Sequence, residues 1–101
     1  MSDFGTSLSI AASGMEAQAM RLRHVSENIA NADTPGYHRK VTGFETVLDQ
    51  GQATGEVRLG EVKLDPSELT RVLDPGNPLA DENGYYDGSN VDLVVEIADA
   101  R

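Results

Sequence analysis

The sequence predicts an α+β chain: a long N-terminal helix for coiled-coil packing, a small β-rich middle segment, and the start of a C-terminal helix. Three observations lead there. Leu8, Met15, Leu22 and Ile29 recur every seven residues through the first part of the chain. Short alternating apolar runs between residues 57 and 88 are separated by turn dipeptides. A fresh helical stripe opens after Ser89.

The first element is a helix capped by Ser2 or Asp3 and running to about Ala32. Ala11, Val25 and Ala32 fill the companion position of the repeat, Gln18 interrupts it, and Ala12, Ala19 and Ser26 lie beside it. A sustained repeat of this kind with small flanking residues marks a helix packed closely along another helix. Arg21, Arg23, His24 and Glu27 fall off the stripe, on a face expected to be solvated or between subunits. Gly14 weakens the helix by about 1 kcal/mol relative to Ala. The rest of the sequence offers little helix to cover the stripe, so its partner is expected mainly from outside the chain.

"TPGY", Thr34 to Tyr37, ends the helix. Pro35 pushes Thr34 out of the helical region, and Pro35-Gly36 suits the central pair of a type II turn. Asn28 and Asn31 are placed to bond free carbonyls at the helix end. Tyr37 to Leu48 reads as extended, with Phe44 as an anchor, and Asp49 to Glu56 as a mobile loop without a large apolar residue. Val57 and Leu59, then Val62 and Leu64, alternate on either side of Gly60, which predicts a bulged strand or two short strands. Leu69 to Leu73 is a further strand, and Asp74-Pro75-Gly76 and Asn83-Gly84 are turns. Ser89 or Asn90 caps the last helix, whose stripe is Val91, Val94 or Val95, and Ala98. The expected divisions are thus 1–32 for the core helix, 33–56 for turn, extended segment and flexible loop, 57–88 for the β-rich segment, and 89–101 for the C-terminal helix start.

Composition excludes several function classes. The 101 residues make at most one small domain, and the absence of cysteine removes disulfides and thiolate metal sites. The formal charge of −9 disfavours nucleic acid as a partner. Residues 1–40 balance four acids with four bases, so the negative excess falls in 41–101, with thirteen acids against four bases. The neutral part is the easier one to bury in contacts. No apolar run approaches the roughly 20 residues that span a bilayer, and Met1 to Leu8 has no signal-peptide character. His24 and His38 have no metal-ligand spacing, "DENG" does not continue as a calcium loop, and no phosphate loop or nucleophile elbow is present. No catalytic residue, metal site or cofactor is therefore expected.

"SLSIAASGMEAQAMRLRHVSENIANADTPGYHRK" resembles the N-terminal signature of the bacterial flagellar rod, hook and hook-associated axial proteins. Its most specific part is Ala30-Asn31 followed by Thr34, Pro35, Gly36 and Tyr37. A second stretch, with Pro78, Ala80, Asp81, Glu82, Asn83, Gly84 and Tyr85 leading to Asn90 and Val91, resembles the proximal rod members of that family. The rod protein FlgB shares "IANADTPGY" but lacks the Asp-Glu-Asn-Gly-Tyr segment. The resemblance implies a structural subunit of the basal-body rod whose terminal helices pair and stack in the flagellar axis. It implies packing through Leu8, Met15, Leu22, Val25, Ile29 and Ala32. The implied partners are copies of itself, FlgB, FlgF, FlgG and the flagellar export apparatus. The implied place is the periplasm-spanning rod, reached without a cleaved signal peptide. Family members continue for several more helical turns beyond the position of Arg101, so the C-terminal helix is expected to be a stub. Residues 57–88 are expected to fold locally and 1–32 to order on assembly. The competing expectation is a small acidic adaptor that docks its helix onto a cytoplasmic partner.

Overall fold

The computed structural model describes residues 3–101. Helix α1 (Asp3–Ala30) is followed by six strands: β1 (Lys40–Val41), β2 (Phe44–Asp49), β3 (Gln52–Leu59), β4 (Lys63–Leu64), β5 (Arg71–Leu73) and β6 (Tyr85–Asp87). Helix α2 (Leu93–Asp99) closes the order. The strands form three separate antiparallel pairs, β1–β4, β2–β3 and β5–β6. The molecule is elongated, 66 × 24 × 18 Å, with a Cα radius of gyration of 19.0 Å. A compact domain of this length would have about 13 Å.

Asp3 lies within the first turn of α1 rather than before it, and Ser2 lies outside the described residues. The helix ends at Ala30, slightly ahead of the expected Ala32, because the chain tightens: Ala32 N–H donates to Ile29 at 3.2 Å. The type II turn forms as expected. Tyr37 N–H donates to the Thr34 carbonyl at 3.2 Å, and Gly36 holds a φ of +76° that a side chain would strain.

The expected loop Asp49–Glu56 is instead a tight turn followed by strand. Gln50 and Gly51 have φ of +51° and +80°, the pair of left-handed residues that matches hairpin twist. Pairing runs Leu48↔Ala53 and Asp49↔Gln52, then shifts register before Thr46↔Val57. Gly55 sits in the resulting bulge with φ +86°, pressed on α1 so closely that a Cβ there would lie 2.8 Å from Ile10 Cδ1. Gly60 separates β3 from β4 as expected. The strand expected over Leu69–Leu73 is confined to β5, and the turn residues between it and β6 close that hairpin. The pairings of β1 with β4 and of β2 with β3 join strands of the 33–56 segment to strands reaching into 57–88.

The inner face of α1 is not the large apolar stripe. It is the row Ile10, Ser13, Ala17, Arg21, Val25 and Asn28, spaced three or four residues apart and roughly a third of a turn round the helix. Small residues here let a strand backbone approach. The Ser13 hydroxyl donates to Ile10 O and accepts from Val57 N–H at 3.1 Å. Ala17 and Val25 are the buried apolar residues among those described, whereas Asn28, Ser89 and Glu96 are buried polar ones. The centre of this fold is therefore polar.

Candidate functional site

The polar centre lies where the end of α1, the turn at 34–37 and the start of β1 meet the segment 87–99. Asn28, in the last turn of α1, turns its amide inward. Its Oδ1 accepts from Lys40 N–H at 2.8 Å while its Nδ2 donates to Lys40 O at 2.9 Å, so one side chain clamps both polar groups of a strand residue. The Tyr37 hydroxyl also donates to Asn28 Oδ1 at 2.8 Å, and burial raises the phenol above its ordinary value, which keeps it a donor. Asn28 Nδ2 lies 3.2 Å from both Glu96 oxygens.

Glu96 is fully buried, and Arg39 neutralises it through Nε–H to Oε1 at 2.6 Å. The same guanidinium reaches Asp99 at 3.1 Å and Asp65 at 3.4 Å, so one cation ties the 65 loop and both acids of α2 to the segment just before β1. Burial pulls Arg39 down, but these carboxylates outweigh it and its proton is held above the ordinary arginine range. Asp65 is held low by the Ser67 hydroxyl and N–H and then by Arg39. Beside this hub Lys40 pairs with Glu27, holding that carboxyl low, and Arg21 lies between Asp99 at 3.8 Å and the Phe44 ring at 5.7 Å. The face expected to be solvated or inter-subunit thus makes intramolecular ion pairs at Arg21 and Glu27, is half-buried at His24, and is exposed at Arg23.

The two stretches singled out in the sequence come together here. Gly36 N–H donates to Gly88 O at 2.9 Å, Asn90 N–H to Tyr37 O, and the Ser89 hydroxyl to Ala32 O at 2.5 Å. Asn90 Oδ1 accepts from Arg39 N–H at 2.6 Å, and its amide donates to Asp65 O. Asn31 closes the helix end, donating to Glu27 O at 2.8 Å and accepting from the Thr34 hydroxyl. Ala30 and Pro35 are exposed, and Val91 is half-buried. Asp81 organises the loop before β6: its carboxylate accepts from Asn83 and Tyr85 N–H groups and pairs with Arg71, and these donors hold it low. Gly84, at φ +85°, passes so close to Pro75 that a Cβ would lie 2.9 Å from its ring. Pro78, Glu82, Asn83 and Tyr85 are exposed, and Ala80 is half-buried.

Several expectations are corrected. Asp92, not Ser89 or Asn90, caps α2, accepting from Val94 N–H at 2.9 Å. Ser89 and Asn90 are occupied with the joint. Helix α2 turns Glu96 and Asp99 toward the joint and α1, and of the expected stripe Val91 is half-buried while Val94, Val95 and Ala98 are exposed. Asn28 clamps Lys40 rather than capping carbonyls at the helix end. The sequence alone does not single out Arg39 or Glu96 as site residues. The signal was a lone acid inside the apolar run "LVVEIA" and a base just after the turn.

The seven-residue stripe stays outside. Leu8, Met15, Leu22 and Ile29 are exposed at 54, 72, 44 and 42%. Val25 is buried inward, and Ala32 is half-buried. Met15 and Leu22 line a shallow, open, mostly apolar trough with Ala11, Gly14, Gln18 and Ala19. Among the described residues no helix is long and apolar enough to cross a membrane, and no group of His, Asp or Glu is arranged to hold a metal ion.

Residues 8–38 match a family described as flagella basal body rod protein. The chain is 44% identical to the flagellar basal-body rod protein FlgC of Agrobacterium fabrum, over 91% of this chain and 71% of that protein. Against the protein of the same name from Salmonella typhimurium the identity is 40%, over 87% and 70%. Against that of Aquifex aeolicus it is 35%, over 98% and 78%.

Proposed function

The chain belongs to the FlgC family of flagellar basal-body rod proteins, and from that membership we propose that it is a structural subunit of the flagellar rod that assembles through its terminal helices. The observation that carries the mechanism is the division of α1 into two faces. One face is committed to the chain's own strands and to α2. The other, Leu8, Met15, Leu22 and Ile29, is apolar, spaced at seven residues and exposed. A row of that spacing is complementary to another long helix. In this reading α1 packs lengthwise against helices of neighbouring subunits, and the outward valine and isoleucine of α2 extend the same contact. The joint at 31–41 holds the β-rich segment outside that packed layer at a set angle.

The neighbours proposed are copies of the chain itself and the rod proteins FlgB, FlgF and FlgG. The flagellar export apparatus would deliver it, without a cleaved leader, to a rod spanning the periplasm. The seam would gain order from that assembly, since its residues stay 42–72% exposed among the described residues. No catalysis and no cofactor belong to this role.

Isolated basal bodies test the proposal. The subunit is expected to co-purify with them, to account for density in the rod, and to abolish motility when deleted. Recovery of the chain only from the cytosol, bound to one stoichiometric partner, would instead support an adaptor. Asn31→Ala and Gly36→Val are expected to prevent rod assembly, and intact rods from both would contradict the role of the joint.

A further inference from the structure

Helix α2 is held inside out. It buries a carboxylate against α1 and exposes its larger apolar residues, with Val94 76% and Ile97 54% accessible. Glu96 is the one buried residue among those described in α2, while Leu93, Val94, Val95 and Ile97 are all more than a third exposed, so apolar packing does little to distinguish one docking position along α1 from another a turn away. The polar contacts do. Glu96 meets Asn28 of α1 and Arg39, the residue before β1, at once, and Asp99 meets Arg39 and Arg21. A slide of one helical turn, about 5.4 Å, would leave Glu96 buried with neither partner.

We propose that Asn28, Arg39 and Glu96 form a register lock that specifies where α2 docks along α1 and makes that docking depend on a closed 34–41 joint. The second half follows from how the contacts are shared. Asn28 uses one amide for both Lys40 and Glu96, and Arg39 presents its side chain to α2 while its own N–H is held by Asn90. Neither residue can orient toward Glu96 unless β1 lies against the helix end. A buried polar group of this kind serves uniqueness more than stability: apolar replacements of similar volume are commonly neutral or stabilising, whereas removal of one partner is costly. A single buried asparagine fixes register in paired helices for the same reason. The inference does not rest on the rod assignment, since it concerns contacts within one chain.

The absence of cysteine allows paired spin labels at exposed Ser9→Cys and Val94→Cys in the full chain. The parent should give one narrow distance by pulsed electron resonance. The triple variant Asn28→Leu, Arg39→Met and Glu96→Leu should still melt cooperatively but give a broad or multiple distribution. An unchanged narrow distance in that folded variant would overturn the lock. If the triple variant does not fold, Glu96→Gln, which keeps shape and loses charge, decides the matter. It should widen the distribution and speed amide exchange at Arg39 and Lys40 about tenfold, leaving Asp74 and Gly84 at the far end of the β5–β6 hairpin unchanged. No change at Arg39 and Lys40, or equal acceleration in the hairpin, would overturn the proposal.

Discussion

At the scale of single residues, the joint is a set of side chains each with several partners. Replacing Arg39 by Ala would leave the fully buried Glu96 carboxylate unpaired. A loss of about 3–5 kcal/mol in urea unfolding is expected, as for other broken buried pairs. Arg39→Lys should recover only part of it, because a single ammonium cannot span Glu96, Asp99 and Asp65 as the guanidinium fork does. Asn28→Asp should be more destabilising than Asn28→Ala at neutral pH, since it sets a second carboxylate beside Glu96 at the 3.2 Å contact distance. Much of the turn was legible in sequence, because Pro35 and Gly36 each have one dominant backbone preference. The hub was not. An asparagine near a helix end is equally a cap and a clamp, and which one it becomes depends on a strand residue twelve positions later.

At the scale of elements, the two faces of α1 explain both what was legible and what was hidden. A stripe of large apolar residues is conspicuous, and it marks the exposed seam. The intramolecular face of Ser13, Ala17 and Asn28 is inconspicuous, because it works by small size and hydrogen bonding. For the same reason the first part of β3, residues 52–56, reads as a loop: it carries glycine, threonine and alanine, suited to lying on a helix rather than filling a core. Gly55→Ala tests this contact. The new methyl meets the flexible end of Ile10, and φ +86° is costly for any side chain. A loss of about 1–2 kcal/mol is expected, with Ile10→Ala relieving the contact but not the backbone strain.

At the scale of the whole molecule, charge and shape set the behaviour. The carboxylates of Glu27, Asp65 and Asp81 are held below their ordinary values of 4.5, 3.8 and 3.8 by hydrogen bonds and paired bases. Lowered values mean that their stabilisation is complete above the ordinary value and is lost as pH falls through the folded one. Melting temperature should therefore hold from neutral pH down to about 5 and decline below about 4.5 as these groups take up protons. The elongated outline, with a polar centre and an apolar seam outside, fits a part made to be completed by neighbours. The central claim is that this seam serves assembly and not the chain's own fold. Its most direct test is the triple substitution Leu8→Gln, Met15→Gln and Leu22→Gln, read by thermal melting of the purified chain and by motility of cells carrying it as their only copy. The account predicts a melting temperature close to the parent's and loss of swimming with no rod beyond this subunit. A collapsed monomer, or motile cells with intact rods, would contradict it.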